Sequence, residues 1–103
     1  MTFIAHFFAG LFLGNCIPHL VSGVQGRPFP SPFANPPGRG DSSPLVNVLW
    51  GFLNLVLSLV LLVVAPIPIG LDTSLFVFLA GFLAIGTFSA LHFGKVMARR
   101  RER

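Results

Sequence analysis

His19 and His92, together with Asn15, Asn47, Asn54 and Ser89, stand out because each interrupts an otherwise apolar stretch. An imidazole can carry a proton or bind a metal, and a carboxamide offers both donors and acceptors. Such groups are costly in hydrocarbon unless they meet other protein, so each is a candidate for a site by default. Asn47, Gly51, Asn54 and Ser58 are spaced by four, three and four. At about 100° per residue they share about 60° of a helix surface. Asn15 and His19 lie four apart, and Ser89 and His92 three apart, so each pair also shares a face.

Those polar residues must be positioned by membrane helices. Met1–Gly26, Pro44–Leu71 and Thr73–Gly94 contain no Asp, Glu, Lys or Arg. About 20 helical residues, rising about 1.5 Å each, cross a hydrocarbon core of roughly 30 Å. The composition agrees: 53% of the residues are hydrophobic and only 10% are charged. We therefore expect an all-α membrane protein of one domain, residues 1–103, with three transmembrane helices. The first runs from about Phe3 to Val21, with a kink or early end at Pro18. The second runs from about Pro44 to Ala65, with Ser43 as N-cap and Pro44 as its first residue. The third runs from about Thr73 to Gly94, capped by Asp72, and a basic tail occupies residues 95–103. No Lys or Arg precedes the first apolar run, so that segment is expected to remain as a span rather than act as a leader.

All seven basic residues lie in the connection between spans one and two or in the tail. Three spans put those two segments on one side, and basic clusters stay cytoplasmic. The expected location is a cell inner membrane, multi-pass, with the N-terminus outside and the C-terminus cytoplasmic. The net charge of +4 is juxtamembrane. It points to membrane lipids, with Lys95, Arg99, Arg100, Arg101 and Arg103 meeting anionic headgroups, and not to nucleic acid.

The cytoplasmic connection, residues 23–44, is rich in Pro and Gly and repeats Pro-Phe at Pro28-Phe29 and Pro32-Phe33. Aromatic residues are out of place in a solvated linker. An extended, proline-restricted lid is expected, folded back so that Phe29 and Phe33 are buried over the mouth of the bundle; the alternative is a polyproline-like linker that engages a partner.

Counting about 1.5 Å per residue from the cytoplasmic ends puts His19, Asn47 and His92 about 3–5 Å deep, with Asn15, Ser89 and Gly51 about 8–10 Å deep. The candidate ligand-binding set is therefore Asn15, His19, Asn47, Trp50, Asn54, Ser89 and His92. A small molecule or lipid headgroup is one occupant. A second reading makes the same residues interhelical fasteners, at about 0.6 kcal/mol each, in a structural or accessory subunit of a membrane complex. A third makes His19 and His92 ligands of haem or a metal. No Cys, Asp or Glu is spaced to complete a zinc site, and no cofactor is expected. Ser/His/acid and Cys/His sets are missing, as is a phosphate-binding glycine loop, so a non-enzymatic protein is favoured. Small residues at Gly10, Gly14, Gly86 and Ala90 would let helices approach closely, within the bundle or in a homo-oligomer.

The run Gly14-Asn15-Cys16-Ile17-Pro18-His19 is followed by Gly23, Gly26, Pro32-Phe33, Pro36-Pro37-Gly38, Ser42-Ser43-Pro44, Asn47 and Trp50-Gly51. This combination, over roughly residues 10–55, resembles a group of small bacterial integral membrane proteins of uncharacterised function. The resemblance implies a bacterial membrane protein and no particular activity.

Overall fold

The computed structural model describes Thr2 to Glu102, and Arg103 of the basic tail lies outside the described residues. The chain forms three helices, α1 (Thr2–Val24), α2 (Pro44–Val64) and α3 (Thr73–Arg101). Each is long and apolar enough to cross a membrane, the architecture of a multi-pass membrane protein.

Local chemistry sets the helix ends. Ser43 has extended backbone, its Oγ accepts the Val46 N–H at 3.1 Å, and Pro44 opens α2 where no N–H is needed. Asp72 Oδ1 accepts the Ser74 N–H at 2.8 Å and caps α3 in the same way. At its far end Arg99, Arg100 and Arg101 occupy the last turn of α3, where cations offset the negative end of the helix dipole. The tail is thus largely helical, and α3 runs seven residues beyond the expected Gly94. In α1 the helix continues through Pro18 to Val24, three residues past the expected end. The missing N–H deprives only the Gly14 carbonyl, and Cys16 and Leu20, on either side of Pro18, lie close against Gly51 of α2.

α1 is the central helix. It packs along both α2 and α3, which scarcely meet each other among the described residues. Small residues produce both contacts. On the α3 side a Cβ at Gly10 would overlap the Phe78 carbonyl oxygen, and a Cβ at Gly81 would overlap that of Phe7. On the α2 side a Cβ at Gly51 would sit 2.9 Å from Leu20 N and 3.1 Å from Cys16 O. Backbones this close gain dispersion contacts that hydrocarbon cannot supply, and this is how helices associate where burying apolar surface gains nothing. Gly10 and Gly14 are therefore used inside the bundle, Gly14 against Phe82 and Ile85, and are closed to a second copy. Gly86 faces open space and Ala90 is exposed.

Burial is inverted relative to a water-soluble core. His6, His19, Asn47, Asn54 and Ser58 are buried, whereas Leu, Val and Phe side chains cover the outside.

The connection from α1 to α2 corrects two expectations. It is not extended, and it adds a two-stranded antiparallel ribbon, β1 (Phe29–Pro30) and β2 (Asp41–Ser42), to an otherwise helical chain. Gly26, at φ 73°, turns the chain out of α1, with the Arg27 N–H returning to the Ser22 carbonyl at 2.9 Å. Between the strands the chain doubles back on itself: the Ser31 carbonyl accepts N–H groups from Ala34 and Gly38, and the Pro36 carbonyl accepts those of Arg39 and Gly40. The two Pro-Phe pairs are consequently not equivalent. Phe29 lies in β1 and is half-buried, whereas Phe33 falls on the turn and is 66% exposed. The interior position belongs instead to Ser31, whose hydroxyl bonds that of Ser42 and accepts the Phe33 N–H.

Replacing Gly81 by Val should force α1 and α3 apart and destabilise the detergent-solubilised protein by at least about 2 kcal/mol, the scale of overpacking. Gly86→Ala, with nothing within 4 Å, should leave the unfolding midpoint of the monomer unchanged. Equal midpoints for the two variants would refute the close approach.

Candidate functional site

At the end of the bundle that carries the connection and the α3 tail, α2 and α3 leave a gap over α1. The gap is a cavity of about 170 Å³. Asn15 and His19 of α1 line it, with Trp50 of α2, Phe88, His92 and Phe93 of α3, and Ser31, Pro32 and Gly38 of the connection. Every element but the two short strands contributes a wall.

His19 is held from behind by Asn47, with His19 Nδ1 and Asn47 Oδ1 2.8 Å apart. Asn47 Nδ2 lies 2.9 Å from Phe29 O, 3.1 Å from Ser43 O and 3.2 Å from Ser42 O. Carbonyl oxygens only accept, so the NH2 group must face them and Oδ1 must accept from His19. The tautomer follows: His19 carries its proton on Nδ1 and leaves Nε2 as an acceptor. The ring is wedged edge-on against Phe29, Trp50 and Phe93, with centroids 5.6, 6.4 and 6.4 Å away. Asn47 itself does not line the cavity; it latches the ribbon, α1 and α2 together.

His92 stands on the α3 wall. Its Nε2 donates to the Gly38 carbonyl at 2.8 Å, which leaves Nδ1 as an acceptor in the neutral ring. Phe88 stacks on the ring at 5.4 Å and Phe93 meets it edge-on at 5.0 Å. The two imidazoles face one cavity without bonding each other. Trp50 closes the α2 side, and its Nε1–H is buried with no acceptor among the described residues.

Beneath the cavity, Asn15 Nδ2 donates to Asn54 Oδ1 at 3.1 Å and Asn54 Nδ2 donates to Trp50 O at 2.8 Å. Deeper still, Ser58 Oγ donates to Ala9 O at 2.7 Å. Ser89 departs from the expected layer. It lies in a separate cleft with Gly14, Ile17, Pro18, Phe82 and Gly86. Three residues along a helix differ by about 60° in direction, enough to put His92 and Ser89 on different sides of α1. The expected lid also changes: Phe29 supports His19, Phe33 leans edge-on against Trp50 from outside, and Ser31, Pro32 and Gly38 cover the cavity.

The spacing of residues gives His6 no partner. Its Nε2 donates to Ala65 O at 2.9 Å and so satisfies a terminal carbonyl of α2 at the opposite end of the bundle. Only its position, facing the end of the next span, could have signalled this.

The residues that line the cavity carry one unpaired N–H, on Trp50, the Asn15 carboxamide, the Ser31 hydroxyl and an acceptor nitrogen on each imidazole, and no carboxylate. Among the described residues no three His, Cys, Asp or Glu side chains gather as they would around a metal. At the C-terminal end of α3 a second cavity, of about 310 Å³, includes the expected headgroup residues Arg99 and Arg100 together with Arg39. Lys95 and Arg101 are exposed and do not line it. No protein-family model, curated protein or solved structure matches the chain, so the functional reading rests on this geometry.

Proposed function

We propose that this is a small, non-enzymatic integral membrane protein that holds a small molecule or lipid headgroup in the cavity between α2 and α3. The observation that carries the proposal is the Trp50 indole N–H, buried without an acceptor in a residue that lines the cavity. An unpaired buried donor costs about 1–3 kcal/mol, and a bound carbonyl, hydroxyl or ester oxygen removes that cost. The acceptor nitrogens of His19 and His92 complement it by taking a hydroxyl or amine proton. The fitting occupant is thus a molecule with an acceptor and a donor close together at one polar end.

A second reading, an accessory subunit of a membrane complex, draws on a different observation. The Asn15–Asn54, Ser58–Ala9 and His6–Ala65 bonds are all satisfied within the chain and join its helices. Those groups act as fasteners, and the exposed Gly86 and Ala90 face would then meet a partner or a second copy.

The orientation we propose has the connection and tail cytoplasmic in a bacterial inner membrane. Its support is the gathering of Arg27, Arg39 and the α3 basic residues at one end, where Arg100 bonds Asp41 of the connection. In a Cys16→Ala background, Thr73→Cys should react with an impermeant thiol reagent in intact cells. Gln25→Cys should react only after the membrane is broken. The reverse pattern would overturn the orientation.

Native mass spectrometry of protein extracted with its surrounding lipids tests the binding reading. A molecule should be retained one-to-one, and Trp50→Phe, which removes the N–H but keeps an aromatic ring, should weaken retention by about tenfold. His19→Phe should do the same, while the helical circular dichroism of both variants stays unchanged. Undiminished retention in both, or no retained molecule in the parent protein, would leave the fastening role as the function of these residues.

A further inference from the structure

The second cavity, about 310 Å³ between the connection and the last turns of α3, is distinct from the one just discussed. Arg39, Arg99 and Arg100 line it, with Asn35 and Gly40 on the connection and Val96 at its base. Arg100 is fixed in place: its Nη1 and Nη2 meet the Asp41 carboxylate, each at 3.0 Å, and Nη2 also donates to Arg39 O at 2.6 Å. Asp41 is the one carboxylate paired there. Asp72 caps α3 at the other end of the bundle, and Glu102 forms no ion pair among the described residues. Among the described residues three arginines therefore line the cavity against one paired carboxylate, a surplus of two positive charges. The carbonyl end of α3 offsets only about half a charge, so the surplus wins.

We propose that this cavity binds a phosphate monoester or free phosphate, held by Arg39, Arg99 and Arg100. The charge argument selects the class, since a phosphate monoester carries about 1.5–2 negative charges near pH 7, which matches the surplus. Guanidinium groups present paired N–H donors suited to phosphate oxygens, and the prefixed Arg100 loses little freedom on binding. The site lies where α3 passes from its apolar stretch into its basic turns, the level at which a phospholipid presents its phosphate. The same chemistry is offered by phosphatidic acid in the bilayer and by inorganic phosphate in solution.

Protein in phosphatidylcholine nanodiscs doped with phosphatidic acid separates the possibilities. Native mass spectrometry should show one phosphatidic acid retained per chain. Arg39→Gln and Arg99→Gln should each weaken retention by about tenfold or more, as loss of a charge-assisted contact predicts. Arg101→Gln removes the same charge from a residue outside the cavity, and should weaken it by no more than about fivefold, the loss expected from general surface attraction. Millimolar inorganic phosphate is the second arm. If it displaces the lipid and raises the unfolding midpoint of protein in undoped nanodiscs, the site takes free phosphate; if it does neither while the lipid is retained, the site takes the lipid headgroup. Equal weakening by all three substitutions, or retention of neither phosphatidic acid nor phosphate, overturns the proposal.

Discussion

The Asn47 carboxamide is the interaction on which the loop end of this protein depends. One side chain reaches the His19 ring on α1 and the carbonyls of Phe29, Ser42 and Ser43, so it joins two helices and both strands of the ribbon. A single hydrogen bond in a membrane protein contributes about 0.6 kcal/mol on average. The larger effect is asymmetric, because removing the amide would leave several buried groups unpaired at about 1–3 kcal/mol each. The same contacts select one His19 tautomer and place the connection where its Gly38 carbonyl can receive His92. Cavity chemistry and loop conformation therefore have a common origin.

The cavity exists because of how the helices pack. With Gly10, Gly81 and Gly51 allowing backbones to touch, α1 forms close contacts with both neighbours. Contacts that close leave little freedom to bring α2 and α3 together as well. At one end the connection and the aromatic side chains cover the resulting gap. Elsewhere the gap needs no filling by protein, since lipid chains solvate the exposed Leu, Val and Phe side chains as well as a neighbouring helix would. An inverted burial pattern and an open side are two results of one solvent.

Much of the helical layer was legible in the sequence. Charge-free stretches gave the spans, and Ser43-Pro44 and Asp72 gave two helix starts to the residue, because caps depend on neighbours in the chain. The Asn47, Gly51, Asn54 and Ser58 stripe was also readable, and all four are buried. Periodicity reveals a shared face but not its neighbour, so it groups Ser89 with residues that Ser89 does not join and gives no sign that α1 lies against Gly81. Depth along the axis placed His19 and His92 at one level without giving their lateral separation. The connection was least legible. Its Pro-Phe repeat looked like two equivalent anchors, yet Ser31 and Ser42, ordinary in sequence, hold its interior. Their pairing across eleven residues depends on the ribbon register, which no local pattern encodes.

The donors and acceptors already paired within the chain narrow where chemistry can occur. Asn47 and Asn54, the Ser58 hydroxyl and one nitrogen of each histidine are engaged within the chain. Among the described residues, two buried side-chain polar atoms lack a partner: Trp50 Nε1 and His6 Nδ1. They are instructive as a pair. His6 Nδ1, an acceptor, is buried and borders none of the cavities described above. Trp50 borders a cavity of about 170 Å³ whose opposite wall carries His92. An orphaned polar atom is thus not a site by itself. Space beside the residue that carries it, and complementary groups across that space, would turn the same energetic deficit into a reason to bind.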